Sequence, residues 1–381
     1  MNVVKRAQLL LSVPVLVLLL LGCSLGPVTP TKTTDLSSVT LAGQCSTLYW
    51  GQAMTVAAQH SDGASLAWHL DGAALSGGAD GTVSVGKNLA KGGHRLELIV
   101  SKDGATRNIR WDFSVEQVPV SVLLSQVSES EILKTTSDLV NFGTRYLNTP
   151  GNKAAGSYLY GRLAALPNME VAYHSARFNN VIGTLPSADP STDVVYVTGA
   201  HYDSTAYDTN IAPGATDNAS GVAIVLEFAR IMSQYRFAHT VIFGFWNGEE
   251  VPPGGAEDFA YDADNSSLNI GLYVNLDSSS YDPDNHFKLD IMYDNSTQWV
   301  ADMMTASNSL YNLGLDLTYN EHSCNSDYVP FRRYGYPAVM THSETHGPGG
   351  TSDDTVDKVS TPYAAKNGRL CLSVLGQLAG E

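Results

Sequence analysis

Val194-Val195-Tyr196-Val197-Thr198-Gly199-Ala200-His201-Tyr202-Asp203 is a short apolar run that ends on two residues able to hold a metal or a proton. A run of this length reads as a strand buried on both faces, the kind found inside a parallel sheet. The arrangement recurs downstream. Val241 to Phe245 leads through Trp246 to Glu249-Glu250, Leu272 to Leu276 leads to Asp277, and Pro337 to Met340 leads to His342, Glu344 and His346. Helical periodicity appears in the same region: Ala154, Ala155, Tyr158, Leu159 and Leu163 fit one helix face, and Val222, Val225, Leu226 and Ala229 fit another. Buried strands alternating with helices predict an α/β sheet. Ligands of such sheets bind at the carboxyl ends of the strands, so these distant side chains are expected to converge.

A fifth group stands in Pro213-Gly214-Ala215-Thr216-Asp217-Asn218-Ala219-Ser220-Gly221, where a loop turns into the helix of Val222 and Val225. Asp217 alone reads best as a helix cap, the commonest role for Asp at such a place. Beside four strand ends bearing ligand-type residues, it reads as a fifth ligand. Two histidines with several carboxylates suit zinc. A carboxylate can also bridge two ions about 3.5–4 Å apart, which polarise a carbonyl and acidify a shared water. Neighbouring Glu249 and Glu250 point in different directions, so one can bind metal while the other acts as a base. On its own a Glu-Glu pair is more often a solvated face.

The rest of the chain narrows the class. Its 381 residues allow two domains, and 43% hydrophobic with 16% charged residues is an ordinary globular composition. Lys and Arg number 22 against 38 Asp and Glu, a net charge of −16 without a basic run, which argues against nucleic acid as a partner. Residues 1–22 carry Lys5 and Arg6 and then an apolar stretch from Leu9 to Leu21 broken by Ser12 and Pro14, the pattern of a secretory signal. Its ending, Leu20-Leu21-Gly22-Cys23, resembles the bacterial lipobox, which implies an exported chain lipid-anchored to the cell envelope through Cys23. Ser24 lacks retention character, which favours the outer membrane. Residues 23–36, rich in Thr, Pro and Ser, read as a tether. Residues 37–118 show period-two alternation (Leu66, Trp68, Leu70; Leu96, Leu98, Val100; Ile109, Trp111, Phe113, Val115) between Asp-Gly and Gly-Gly turns, which predicts a small β-sandwich, immunoglobulin-like in architecture, without catalytic residue types. Val118-Pro119-Val120 marks the boundary, and the second domain covers 126–381. With Cys23 assigned to lipid, Cys324 and Cys371 are the favoured disulfide because they share that domain.

From about Leu139 to Leu378 the chain resembles the co-catalytic di-zinc aminopeptidase family of bacterial and fungal secreted enzymes. The resemblance is carried in order by Asn141-Phe142-Gly143-Thr144-Arg145, Asn180-Val181-Ile182-Gly183, Ala200-His201-Tyr202-Asp203-Ser204, Gly214 to Gly221, Asn247-Gly248-Glu249-Glu250 and Asn275-Leu276-Asp277. It implies a three-layer α/β/α zinc exopeptidase acting on peptides. His201 and Asp277 would bind one zinc, Glu250 the other, and Asp217 would bridge them. Glu249 would be the general base and Asp203 would orient His201. The last ligand departs from the pattern. The family's final histidine directly precedes a Thr-x-x-Asp-Thr segment; here Gly350 precedes Thr351-Ser352-Asp353-Asp354-Thr355, and the nearest histidine is His346. Either the Gly347-Pro348-Gly349 loop brings His346, the favoured ligand ahead of His342, to the metal, or the Glu250 site is weakened. Tyr328 also stands where the family often has His. Two rivals share the scaffold: a single-zinc acyltransferase of the glutaminyl-cyclase type, and a non-catalytic peptide-binding lipoprotein. Substrate preference and oligomeric state are left open.

Overall fold

A computed structural model describes residues 36, 39–60, 63–76, 81–321 and 325–380. The signal, the tether up to residue 35, Cys23 and Cys324 lie outside these residues. The chain divides into two units between Val115 and Glu116, with Tyr49–Gln52 and Asn88–Lys91 belonging to the second.

The first unit is all-β. Its strands are β1 (Leu41–Ala42), β2 (Thr47–Tyr49), β3 (Met54–Ala58), β4 (Ser65–Leu70), β5 (Ala73–Ala74), β6 (Thr82–Val85), β7 (Gly92–Lys102) and β8 (Ala105–Glu116). They form an antiparallel sheet in the order β1-β3-β6 and a second sheet in the order β2-β8-β7-β4-β5, antiparallel from β8 to β5. The alternation seen in the sequence is the buried face: Trp68, Leu96, Leu98, Val100, Phe113 and Val115 are all buried. At the β7–β8 hairpin Asp103 and Gly104 have φ of 52° and 81°. A two-residue turn with positive φ at both positions matches the twist of the paired strands, which is why Asp-Gly stands there.

The second unit follows with α1 (Val120–Ser125), α2 (Glu129–Val140), α3 (Pro150–Ala164), β9 (Glu170–His174), β10 (Asn180–Leu185), β11 (Val195–His201), α4 (Ser220–Met232), β12 (Thr240–Trp246), α5 (Gly255–Asn265), β13 (Ile270–Leu276), β14 (Lys288–Met292), α6 (Gln298–Leu310), β15 (Asp316–Asn320), α7 (Tyr328–Arg333), β16 (Ala338–Ser343) and α8 (Thr361–Gly380). One mixed sheet runs β15-β14-β16-β13-β11-β12-β10-β9. Its four central strands, β16, β13, β11 and β12, are mutually parallel, so their carboxyl ends share one edge. These are the four apolar runs that end in ligand-type residues.

Both faces of the sheet are covered, which explains why the runs are apolar without alternation. On one side Val241, Phe243, Phe245, Leu272, Val274 and Leu276 pack with α2, α3, α4, α6 and α8; on the other Val197, Ile242, Trp246 and Tyr273 pack with α5 and α7. The result is the three-layer α/β/α arrangement. Gly199 and Gly244 make room for Trp246, since a Cβ at either would lie within 2.5 Å of its ring.

The favoured disulfide is corrected. Cys371 is a free, fully buried thiol on α8, and its sulfur faces Asn367 Oδ1 at 3.4 Å within the core. The thiol sits on a helix face turned into the packed core, enclosed by its neighbours. Cys45 is disulfide-bonded instead, and its partner lies outside the described residues. No described helix is long and apolar enough to cross a membrane.

Candidate metal centre

The carboxyl edge of the four parallel strands gathers the predicted residues. His201, the last residue of β11, is 1% exposed and sends Nε2 to within 3.2 Å of Asp217 Oδ1 and 3.4 Å of Asp277 Oδ1. The other oxygen of Asp217 lies 3.3 Å from Nε2 of His346. Asp217 therefore turns one oxygen toward each of two imidazoles rather than toward a helix N-terminus. Donor atoms of His201, Asp217 and Asp277 form one compact group, and those of His201, Glu249 and Glu250 another. Tetrahedral coordination at about 2.0–2.1 Å separates neighbouring donors by about 3.3 Å, which matches these distances.

A dication also fits the electrostatics. Glu250 Oε1 is buried without a hydrogen-bond partner among the described residues. Burial and the nearby carboxylates push Glu250 and Glu249 up to about 9, with His201 opposing. Burial pulls His201 down, but Asp277, Asp203 and Asp217 outweigh it and hold the imidazole well above its ordinary value. Hydrogen bonding to Asp217 raises His346 to about 9, while His201 and His346 hold the Asp217 carboxyl below the usual range despite its burial. His346, which the sequence reading favours over His342, faces Asp217. His342 also lines the cleft, and its ring, 6.1 Å from that of His346, bonds through Nδ1 to the Ser343 carbonyl.

These directions set a pH dependence for the metal-free protein. Glu249 and Glu250 keep their protons when folded up to about pH 9 but release them near 4.5 when unfolded, so between those values the folded state binds more protons and stability falls as pH rises. His346, raised from 6.5 to about 9, contributes stability that is complete below 6.5 and lost on rising through 9, the same direction. The melting temperature of chelated protein is expected to drop by roughly 5 °C from pH 6 to pH 9 and to be restored by zinc; a flat or rising profile would contradict this electrostatic picture.

A second ring of residues holds the first. Asp203, fully buried, accepts from the backbone N–H groups of Glu249 and Glu250 at 3.2 Å each, and its Oδ1 is 3.6 Å from His201 Nδ1. Asp203 thus flanks His201, whose Nδ1 also lies 3.3 Å from the Asp203 carbonyl, and its carboxylate fixes the loop bearing both glutamates. Asn247 and Asn180 brace that loop, Asn247 N–H donating to Asn180 Oδ1 at 3.0 Å and Asn180 Nδ2 donating to the Gly255 carbonyl at 2.8 Å. Gly221 lets α4 approach the sheet, since a Cβ there would lie 2.1 Å from Asn218 Oδ1 and 2.7 Å from the Leu276 carbonyl.

Three supports are not apparent from the sequence. Asp354 accepts from Thr216 N–H at 2.9 Å, Thr216 Oγ1 at 2.7 Å and Asp217 N–H at 3.0 Å, tying its own segment to Asp217. A hydrogen-bonded chain runs from Trp246 Nε1 to Tyr273 Oη (2.7 Å), on to Asn275 Oδ1 (2.9 Å), from Asn275 Nδ2 to Ser326 Oγ (2.7 Å), and from Ser326 to Asp277 Oδ2 (2.6 Å). Tyr273, Asn275 and Asp277 alternate along one strand direction, the signal that could have exposed this chain. Arg145, fully buried, donates to the carbonyls of Tyr202 (2.8 Å), Pro213 (2.6 Å) and Gly214 (2.8 Å). Tyr328 is itself core: it is fully buried with the Arg332 guanidinium 4.6 Å above its ring.

A mixed α/β/α sheet whose parallel strands end in a histidine and carboxylate cluster defines a scaffold for a candidate metal centre. The model of peptidase family M28 matches residues 180–375, and the chain belongs to that family. A probable zinc metalloprotease of Pyrenophora tritici-repentis is 34% identical over 185 residues, covering 41% of this chain and 42% of that one. The chain spans about two-fifths of the length of such curated relatives. Among solved structures, the LapA aminopeptidase of Legionella pneumophila has a TM-score of 0.61 at 16% identity, covering 69% of this chain and 74% of that one. The glutaminyl cyclase of Fimbriiglobus ruber has a TM-score of 0.56 at 20% identity, covering 66% and 95%. These likenesses are of fold.

Proposed function

We propose that the chain is a zinc-dependent exopeptidase, an aminopeptidase releasing N-terminal residues from peptides. The fold alone does not choose, since an aminopeptidase and a glutaminyl cyclase share it. The observation that carries the choice is Asp217, whose two oxygens face His201 and His346 separately. A single-zinc cyclase has no need of a carboxylate shared between two histidines. His201, Asp217 and Asp277 would hold one ion, and Asp217, Glu250 and His346 the other. Two zinc ions there supply Lewis acidity to the scissile carbonyl and to the attacking water.

Glu249, beside the ligands, takes the water's proton and returns it to the departing amine. Asp203 keeps His201 and the Glu249 backbone in register. The surplus of carboxylates suits a substrate's N-terminal ammonium, which favours removal from that end of a peptide.

Zinc per chain, measured on wild type and His346→Ala alongside amino-acid release from short peptides, tests this. Two zincs with hydrolysis, both reduced in His346→Ala, is the expected result. One zinc with cyclisation of N-terminal glutamine and no amino-acid release would transfer the chain to the cyclase reading.

A further inference from the structure

Asp277 is held from behind by a chain of side chains that starts inside the sheet. Trp246 Nε1, Tyr273 Oη, Asn275, Ser326 Oγ and Asp277 Oδ2 follow one another at hydrogen-bond distances of 2.7, 2.9, 2.7 and 2.6 Å. Trp246, Tyr273 and Asn275 are fully buried and Ser326 nearly so, so these polar groups must satisfy one another. A single arrangement places one hydrogen in every gap. The indole N–H donates and cannot accept, so the Tyr273 hydroxyl turns its own hydrogen to Asn275 Oδ1. Asn275 then presents its amide N–H to Ser326, and the Ser326 hydroxyl is left to donate to Asp277. In the opposite sense the chain would have to end on an indole nitrogen that accepts nothing.

The sheet is shaped so that the chain can begin at Trp246. β12, which carries Trp246, and β13, which carries Tyr273, are not neighbours, because β11 runs between them. At the crossing β11 has Gly199, paired with Gly244 of β12 and Asn275 of β13. A Cβ at Gly199 would lie 2.5 Å from Trp246 Nε1, so any side chain there would push the indole nitrogen away from Tyr273. The Phe331 ring stacks on Tyr273 at 4.0 Å between centroids, which holds the phenol in place.

We propose that Trp246 and Tyr273 are positioning residues for Asp277: the chain they begin delivers the Ser326 hydrogen to Oδ2 and leaves Oδ1 for the ion shared with His201. Oδ1 is the oxygen that faces His201 Nε2 at 3.4 Å, and Ser278 Oγ reaches it at the same distance. Groups bonded behind a metal ligand commonly govern metal affinity. Asp277 is a ligand on the zinc reading above, on which this inference rests.

Zinc binding by metal-stripped, full-length protein is measured by competition with a chromophoric chelator, for wild type, Tyr273→Phe, Ser326→Ala and the double variant. Wild type is expected to bind two ions. Each single variant is expected to weaken one of them about tenfold and to spare the other. The double variant should bind no more weakly than the weaker single, because both changes cut one chain. Unchanged zinc affinity in Tyr273→Phe, or losses that add in the double variant, overturns the proposal and leaves the metal reading standing. Wild type that binds no zinc sinks the metal reading and the proposal with it. A second measurement covers a Tyr273→Phe protein that does not fold. The indole N–H proton resonance of Trp246, assigned by its absence from Trp246→Phe, is expected to shift on zinc loading of wild type and to stay in place in Ser326→Ala. No shift in wild type, or the same shift in Ser326→Ala, also overturns the proposal.

Discussion

Glu249→Gln is expected to lower kcat on peptide substrates by about a thousandfold while zinc per chain stays at the wild-type value. The magnitude is what a positioned general acid–base group contributes, about 10²–10⁴-fold. Gln keeps the shape and the backbone N–H donated to Asp203 at 3.2 Å, so the loop and the Glu250 ligand stay where they are. What is lost is the ability to accept a proton. In the metal-free site burial and neighbouring carboxylates hold Glu249 up at about 9, where it is protonated at neutral pH and useless as a base. Dications at the adjacent donors favour its ionised form. Activity and metal loading are thus coupled through Glu249 without its being a ligand. Single-turnover kinetics with zinc quantified on the same sample separates the two roles: kcat retained within tenfold removes Glu249 as the base, and loss of zinc in the Gln variant makes it a ligand.

The metal centre was legible where a strand delivered the residue. Buried parallel strands carry unbroken apolar runs, and the residue after each run sits at a predictable edge, so His201, Asp277 and the glutamate pair could be placed from pattern and resemblance. His346 could be named but its position not fixed, because it stands on a loop whose path depends on Gly347 (φ 61°) and Gly350 (φ 71°) rather than on periodicity. Asp354 was illegible for another reason. It acts on Thr216 and Asp217 from about 138 residues away in sequence, and its place as the Asp of the Thr-x-x-Asp-Thr segment names no partner. Cys371 failed because domain membership says little about orientation: a thiol on a helix facing the core is placed by the helix's apolar stripe, not by a distant cysteine.

Arg145→Ala is expected to cost the second unit about 3–5 kcal/mol, seen as a melting temperature lowered by roughly 10 °C. The side chain is the hub of the loops that flank the cluster. Nε bonds the Tyr202 carbonyl, one end nitrogen the Pro213 carbonyl and the other the Gly214 carbonyl, while its backbone N–H donates to Ser204 Oγ at 3.1 Å. Truncation leaves these carbonyls buried without donors, each a desolvation penalty, and opens a cavity beneath them. Gly214, held at φ 56° with its Cβ position 2.9 Å from the Arg145 guanidinium, shows how closely the loop is moulded to that group. Loss of the hub frees the segment leading to Asp217, so zinc content should fall together with stability. Arg145→Lys sharpens the test. A lysine retains the charge but not the planar fork that serves three carbonyls from two directions, and so should recover only part of the loss. Full stability in the lysine variant would show that charge near the carboxylates, rather than the fork, is what Arg145 supplies.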